Sequence, residues 1–137
     1  MTMGGSTPST VDIIDYVTIA QTGNSVDFGN LTGSKRAEAS AQSSTRGLAM
    51  GSYPGSGSTH LASIDYITIA TLGNAADFGD LSSALSKNGG CSNSVRALSF
   101  GGDNGPSRVD TIDYLTIATL GDAIDFGNLT PATQNLS

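Results

Sequence analysis

Residues 64–70 read Ile-Asp-Tyr-Ile-Thr-Ile-Ala, and near-copies of this phrase occupy residues 14–20 and 112–118. Each copy is followed at the same offset by Asp-Phe-Gly, one variable residue and Leu. The copies begin 50 and then 48 residues apart. Self-similarity at such a period indicates a repeat architecture, in which consecutive units stack because no single unit can bury its own apolar face.

The repeated phrase has the alternation of a β-strand. In the middle copy, Ile64, Tyr66 and Thr68 fall on one face, while Asp65 and Ile67 fall on the other. Because both faces are mostly apolar, we expect this strand to lie between layers. The carboxylate of Asp65 then needs a partner or an exposed end.

Each period contains signals for two hairpins. Gly-Asn or Gly-Asp dipeptides begin at residues 23, 73 and 121, and each predicts a turn into a second strand that carries Asp-Phe-Gly. Residues 45–51 align with residues 95–101 as a further strand, and small residues before each, at 37–43 and 84–92, predict an inner strand. Four short strands per period predict an all-β fold with the spacing of β-propeller blades.

The composition agrees with this fold class and excludes several functions. The chain has 18 Gly, and Glu38 is the only Glu among 12 acidic residues, which disfavours long helices. A formal net charge of −6 argues against nucleic-acid binding. No apolar run is long enough to insert into a membrane, and residues 1–5 lack the pattern of a secretory signal peptide. Cys91 is the single cysteine, for which we expect a buried or half-buried side chain.

The repeats resemble those of kelch proteins. A glycine pair, Gly101-Gly102, ends one strand, a Tyr lies in the next strand, and an aromatic residue follows in the fourth. Phe28, Phe78 and Phe126 stand where kelch blades usually carry Trp, so the unit is a divergent one. The resemblance implies a kelch-like β-propeller of four-stranded blades, with about three blades in residues 1–137, which we treat as a single repeat domain.

The repeated phrases are also similar to those of tail and other virion proteins of marine bacteriophages. This resemblance covers nearly the whole chain and implies a non-catalytic structural or host-contacting role, in a virion or outside the cell. A carbohydrate-binding, lectin-like propeller is the alternative, and an enzyme is the third hypothesis. The partners implied are a glycan or a host-surface receptor, with no cofactor.

Alignment of the chain ends predicts self-association. Residues 1–4 align with residues 48–51, and residues 130–137 align with residues 82–89. The sequence is therefore a circular permutation of three blades, in which one blade is split between the two termini. Three blades are fewer than the roughly four to eight of a closed propeller. We expect a homodimer that closes a six-bladed ring, whereas a segment of a longer repeat array is the alternative.

The candidate ligand-binding residues are Tyr53, His60, Arg46 and Arg96. Tyr53 and His60 flank the longest loop between strands, and Arg46 and Arg96 are equivalent in two repeats. No nucleophile and base can be assembled around His60, the only histidine, so we predict no catalytic residue.

The Asp of each repeated phrase could in principle converge on a metal. No second carboxylate stands at the spacing of a calcium loop, however, so we predict no metal site. A structural role for these carboxylates, for example pairing with Arg46 or Arg96, is favoured.

For the core we expect four repeat positions, with their counterparts in the other copies, to pack between blades: Ile14, Tyr16, Ile19 and Phe28.

Overall fold

The structure, a computed structural model, describes residues 1–55 and 59–136. Over these residues the chain forms eleven β-strands in three antiparallel sheets and no helix, which confirms the all-β prediction. No helix capable of crossing a membrane is therefore found in this part of the chain.

Each sheet is a meander in which strands follow one another in chain order. The first sheet contains β1 (Thr2–Ser6), β2 (Thr10–Tyr16) and β3 (Val26–Asn30). The second contains β4 (Ala39–Gln42), β5 (Arg46–Ser52), β6 (Leu61–Thr68) and β7 (Ala76–Leu85). The third contains β8 (Gly89–Ser92), β9 (Arg96–Phe100), β10 (Thr111–Thr116) and β11 (Ile124–Asn128). The blade-like four-stranded unit is thus present in the second and third sheets.

The two hairpins predicted in each period are present in the second and third sheets, and the hairpin that carries the repeated phrase is present in all three. The repeated phrase pairs with Asp-Phe-Gly in each sheet, through the partners Ile14 and Gly29, Ile64 and Gly79, and Ile112 and Gly127. The pairing of β4 with β5 and of β8 with β9 forms the inner hairpins. In the first sheet β1 is an edge strand, and none of the described residues supplies an inner strand beside it.

The glycine of Asp-Phe-Gly permits close approach between consecutive sheets. Gly29 has a φ of +151°, and a Cβ added there would strike the carbonyl of Gly73 in the second sheet. Gly79 makes the same approach to the carbonyl of Gly121 in the third sheet. A side chain at either position would push the sheets apart, so the motif requires glycine for backbone packing.

The apolar core lies at two joints, which we define as the contacts between the first and second sheets and between the second and third. The first joint contains Phe28 and Ile67, and the second contains Phe78 and Leu115. In each sheet the repeated Tyr meets the Phe edge-on, with ring centroids 5.8–6.1 Å apart. The geometry is the favoured one for aromatic pairs.

The prediction of core positions is confirmed in part: the first Ile and the Phe are buried at both joints, the repeated Tyr is half-buried in every sheet, and the prediction fails at the outer faces. Ile14 and Phe28 are buried, and so are Ile64 and Phe78. The expectation was wrong for Ile19, which is 97% exposed, although its counterpart Ile117 is buried in the second joint. Ile19 is exposed because no sheet precedes the first one in the described chain.

Two further positions differ from expectation at an open groove beside β1. Ile69, the counterpart of Ile19 in the middle copy, is 39% exposed. It lines this groove with Met1 and Met3, where the first sheet has no inner strand to cover it. Cys91 also lines the groove and is exposed, whereas we expected a buried or half-buried side chain.

Replacing Phe78 by Ala should lower the free energy of unfolding by about 3–5 kcal/mol, because the substitution empties a buried aromatic site. The exposed Leu72 is the matched control, and its replacement by Ala should change stability by less than about 1 kcal/mol. Denaturant unfolding measures both. Equal losses for the two variants would contradict the assignment of Phe78 to the second joint.

Candidate functional site

The carboxylates of the repeated phrase lie buried at the joints. At the first joint, Asp65 accepts hydrogen bonds from the backbone N–H of Thr32, at 2.9 Å, and from its hydroxyl, at 2.8 Å. At the second joint, Asp113 accepts the same two bonds from Ser82, at 2.9 and 2.8 Å. Each carboxylate therefore ties its own sheet to the end of the preceding one.

The two joints differ in charge. The ammonium of Lys35 lies 2.9 Å from Asp65, and both side chains are almost wholly buried. Leu85 occupies the position equivalent to Lys35 at the second joint, and one carboxylate oxygen of Asp113 has no hydrogen-bond partner among the described residues. A buried ion pair loses much stability when one member is removed, because the other is left without a counter-charge.

Arg46 and Arg96 do not pair with these carboxylates, so the specific pairing expected from the sequence is wrong. Arg46 lies over the ring of Tyr66, 4.7 Å from its centroid, and donates a hydrogen bond to the carbonyl of Ile117 across the second joint at 2.7 Å. Arg96 lies over Tyr114 in the same way, at 4.8 Å, on the exposed face of the third sheet. No repeat pattern points to Lys35 as the partner of Asp65, whereas the hydroxyl at the position of Thr32 recurs in every repeat.

Tyr53 and His60, by contrast, come together at an open depression of about 620 Å³ between loops of the second and third sheets. Their ring centroids are 5.7 Å apart. The guanidinium of Arg36 lies over Tyr53, 5.3 Å from its ring centroid, and Lys87 and Asp103 also line the depression. We call this feature the loop depression. Arg46 and Arg96 do not line it.

Backbone pairing fixes the walls of the loop depression. Arg36 and Tyr53 exchange two backbone hydrogen bonds of 2.9–3.0 Å, and Ser86 and Asp103 exchange an equivalent pair. Lys87 has a φ of +56°, as do its repeat counterparts to within a few degrees. Because this left-handed residue recurs in every repeat, it belongs to the connection between sheets and not to a site-specific strain.

The polar groups of the loop depression can hold an anion. The N–H of Gly105 and then the ammonium of Lys87, 3.3 Å away, hold the pKa of the Asp103 carboxyl below its ordinary value. Asp103 is therefore ionised and offsets one of the two fixed positive charges, Arg36 and Lys87. Two buried polar atoms of the lining, His60 Nδ1 and Ser86 Oγ, have no hydrogen-bond partner within residues 1–55 and 59–136. Sequence reasoning found Tyr53 and His60 here but missed Arg36, Lys87 and Asp103.

No cluster of three or more His, Cys, Asp or Glu side chains that could hold a metal ion occurs in the described ranges. Glu38, beside the first joint, has a pKa raised above its ordinary value of 4.5 because burial disfavours the charged carboxylate, although its own backbone N–H and Lys35 act in the other direction.

In comparisons with known proteins, no protein-family model matches the chain and no curated protein matches its sequence.

Replacing Asp65 by Ala should destabilise the protein by about 3–5 kcal/mol, since Lys35 would remain buried without its counter-charge. Replacing Asp113 by Ala should cost about 1–3 kcal/mol, because hydrogen bonds alone are lost there. Denaturant unfolding compares the two, with the exposed Asp77→Ala variant as the control for loss of a carboxylate. Equal costs at the two joints would show that Lys35 adds nothing to the first.

Replacing Glu38 by Gln should change how stability depends on pH. A carboxyl whose pKa is raised on folding holds its proton longer in the folded state, so its contribution to stability is full below 4.5 and is lost as the pH rises through the folded pKa. The variant should therefore be more stable than the natural protein at about pH 7, and the difference should shrink towards about pH 4. At the second joint the equivalent Asn88 donates to the carbonyl of Met50 at 3.1 Å, a role that a neutral amide can fill. Thermal unfolding across this pH range measures the effect, and a difference independent of pH would contradict it.

Proposed function

We propose that this chain is a non-catalytic structural and binding module, a kelch-like arc of propeller blades that presents the loop depression to a partner. We place this module in a virion tail or another host-contacting protein, because its repeats resemble those of bacteriophage virion proteins. The observation that carries the binding role is the loop depression itself, where rings and cations converge on loops held by backbone pairs.

The blade arrangement supports the structural part of the proposal. Consecutive antiparallel meanders of three or four strands pack against one another, and the same hydrogen bonds tie each sheet to the next. The repeated polar side chains, Asp65 and Asp113, are used for this stacking and are almost wholly buried. Stacked units of this kind leave their connecting loops as the natural binding surface.

The chemistry of the loop depression favours an acidic glycan, which develops the lectin alternative. Its volume of about 620 Å³ suits a ligand of a few sugar residues. Arg36 and Lys87 can bind a sugar carboxylate, and Arg36 offers a planar pair of donors for that purpose. The rings of Tyr53 and His60, whose centroids lie 5.7 Å apart, supply apolar contact.

A glycan array followed by calorimetric titration tests the proposal. We expect binding to sugars that carry a carboxylate, such as sialyllactose, with a Kd of about 1 mM or tighter, and weaker binding to neutral lactose. Arg36→Ala and Lys87→Ala should each weaken binding by about tenfold, the loss expected for a hydrogen bond to a charged group. Arg108→Ala is the matched control, because Arg108 is exposed and does not line the loop depression.

Two outcomes would count against this reading. Equal affinity for lactose and sialyllactose would overturn the role of the two cations. Absence of binding to every sugar on the array would overturn glycan recognition.

A further inference from the structure

The two joints share backbone contacts as well as the buried carboxylate. At the first joint, Gly73 N–H donates to the carbonyl of Phe28 at 2.9 Å, and at the second, Gly121 N–H donates to the carbonyl of Phe78 at 2.9 Å. The remaining matched contacts are as follows: Ala75 N–H to Asn30 O and Ala123 N–H to Asp80 O, both at 2.8 Å, and Asn30 N–H to Asn74 Oδ1 and Asp80 N–H to Asp122 Oδ1, both at 3.0 Å. A joint is therefore a defined pairing of one sheet's outgoing face with the next sheet's incoming face.

The third sheet carries a complete outgoing face. Phe126, Asn128 and Thr130 occupy the positions of Phe78, Asp80 and Ser82. Phe126 is 58% exposed, whereas Phe28 and Phe78 are 5% and 3% exposed. The difference arises because no fourth sheet covers Phe126 in the described residues.

The first sheet carries a complete incoming face. Asp15, Gly23 and Asn24 occupy the positions of Asp65, Gly73 and Asn74. Asp15 is only partly buried and accepts a long hydrogen bond, 3.4 Å, from the hydroxyl of Ser25. Val17 is 50% exposed, whereas its counterpart Ile67 is 2% exposed inside the first joint.

We propose that the outgoing face of one copy binds the incoming face of a second copy, and so forms a third joint of the same kind. Thr130 N–H and hydroxyl then donate to the carboxylate of Asp15, and Phe126 packs on Val17. Gly23 N–H of the incoming copy donates to the carbonyl of Phe126, as Gly73 donates to Phe28. Arg96 reaches the carbonyl of Ile19, as Arg46 reaches that of Ile117.

A second copy fits these faces because each group exposed on one face matches a group exposed on the other. A partner of unrelated sequence would have to supply the carboxylate, the turn N–H and the side-chain amide in the same arrangement. Such a contact joins two different surfaces, so it produces either a closed ring or an open chain. Two copies supply six sheets, a number within the range of closed propellers, and we expect closure at two.

The joint between copies rests on the repeated contacts alone, whereas closure as a six-sheet ring rests also on the blade arrangement in the proposed function. Neither depends on a ligand in the loop depression. Glycan binding and assembly can therefore succeed or fail separately.

Native mass spectrometry and light scattering of the 137-residue chain test the assembly. We expect twice the chain mass of 13.8 kDa. A mass of one chain at all accessible concentrations overturns the joint between copies. A larger discrete assembly supports the joint and overturns closure at two.

Pairs of cysteine variants test which faces meet. In a Cys91→Ser background, Asn24→Cys and Asn128→Cys are made in separate copies and treated with a short bismaleimide cross-linker. Because Asn24 and Asn128 are both exposed and meet only across the joint, cross-linked dimers should form in the mixture and not in either variant alone. Cross-linking of Asn24→Cys copies with one another would show that like faces meet, and would overturn the proposal.

Asp15→Ala separates assembly from folding. Within one copy Asp15 is partly buried and accepts only the long hydrogen bond from Ser25, so the circular dichroism spectrum should be unchanged while the dimer dissociation constant rises by about tenfold or more. Thr130→Val should act in the same direction, and Asp77→Ala, which also removes an exposed carboxylate, should leave the dimer intact. An unchanged dimer in both Asp15→Ala and Thr130→Val would overturn the proposed contact.

Discussion

The hydrogen bonds from Thr32 and Ser82 to the buried carboxylates of the following sheet are the constraint on which the rest of the structure depends. A buried carboxylate without donors is strongly unfavourable, so these bonds hold each sheet at one distance and one orientation. That placement allows the aromatic ring of Phe28 or Phe78 to pack against the next sheet. It also brings the backbone at Gly79 so close to the carbonyl of Gly121 that no residue with a side chain fits at position 79.

The same constraint positions the loop depression. Its walls come from the connections that leave one sheet and enter the next, and backbone pairs between Arg36 and Tyr53 and between Ser86 and Asp103 hold those connections in place. Lys87 donates its backbone N–H to the carbonyl of Ala37 at 2.7 Å, which links the two connections directly. The candidate binding surface is therefore anchored by backbone hydrogen bonds, although it is built from loops.

Local pattern predicted the strands, the hairpins and the turns within them, because these depend on residues close together in the chain. The partner of Asp65 could not be predicted in this way, since Thr32 is 33 residues away and belongs to a different sheet. The recurrence of a hydroxyl at the positions of Thr32, Ser82 and Thr130 was the available clue. Ile19 was misplaced because a repeat describes the average surroundings of a position and not those at the outer faces. Arg36 and Lys87 were missed because they carry no repeat signature.

The outgoing faces share a geometry but differ at one position, three residues after the hydroxyl residue Thr32, Ser82 or Thr130. This position is Lys35 in the first sheet, Leu85 in the second and Thr133 after the third. This difference opposes misfolding by exchange between similar repeats. If the outgoing face of the second sheet of one copy stacked on Asp65 of another copy, that carboxylate would lie beside Leu85, and Lys35 would lose its counter-ion. Near-identical repeats risk such domain-swapped traps during folding. A single buried ammonium thus makes correct stacking order energetically distinct from incorrect order.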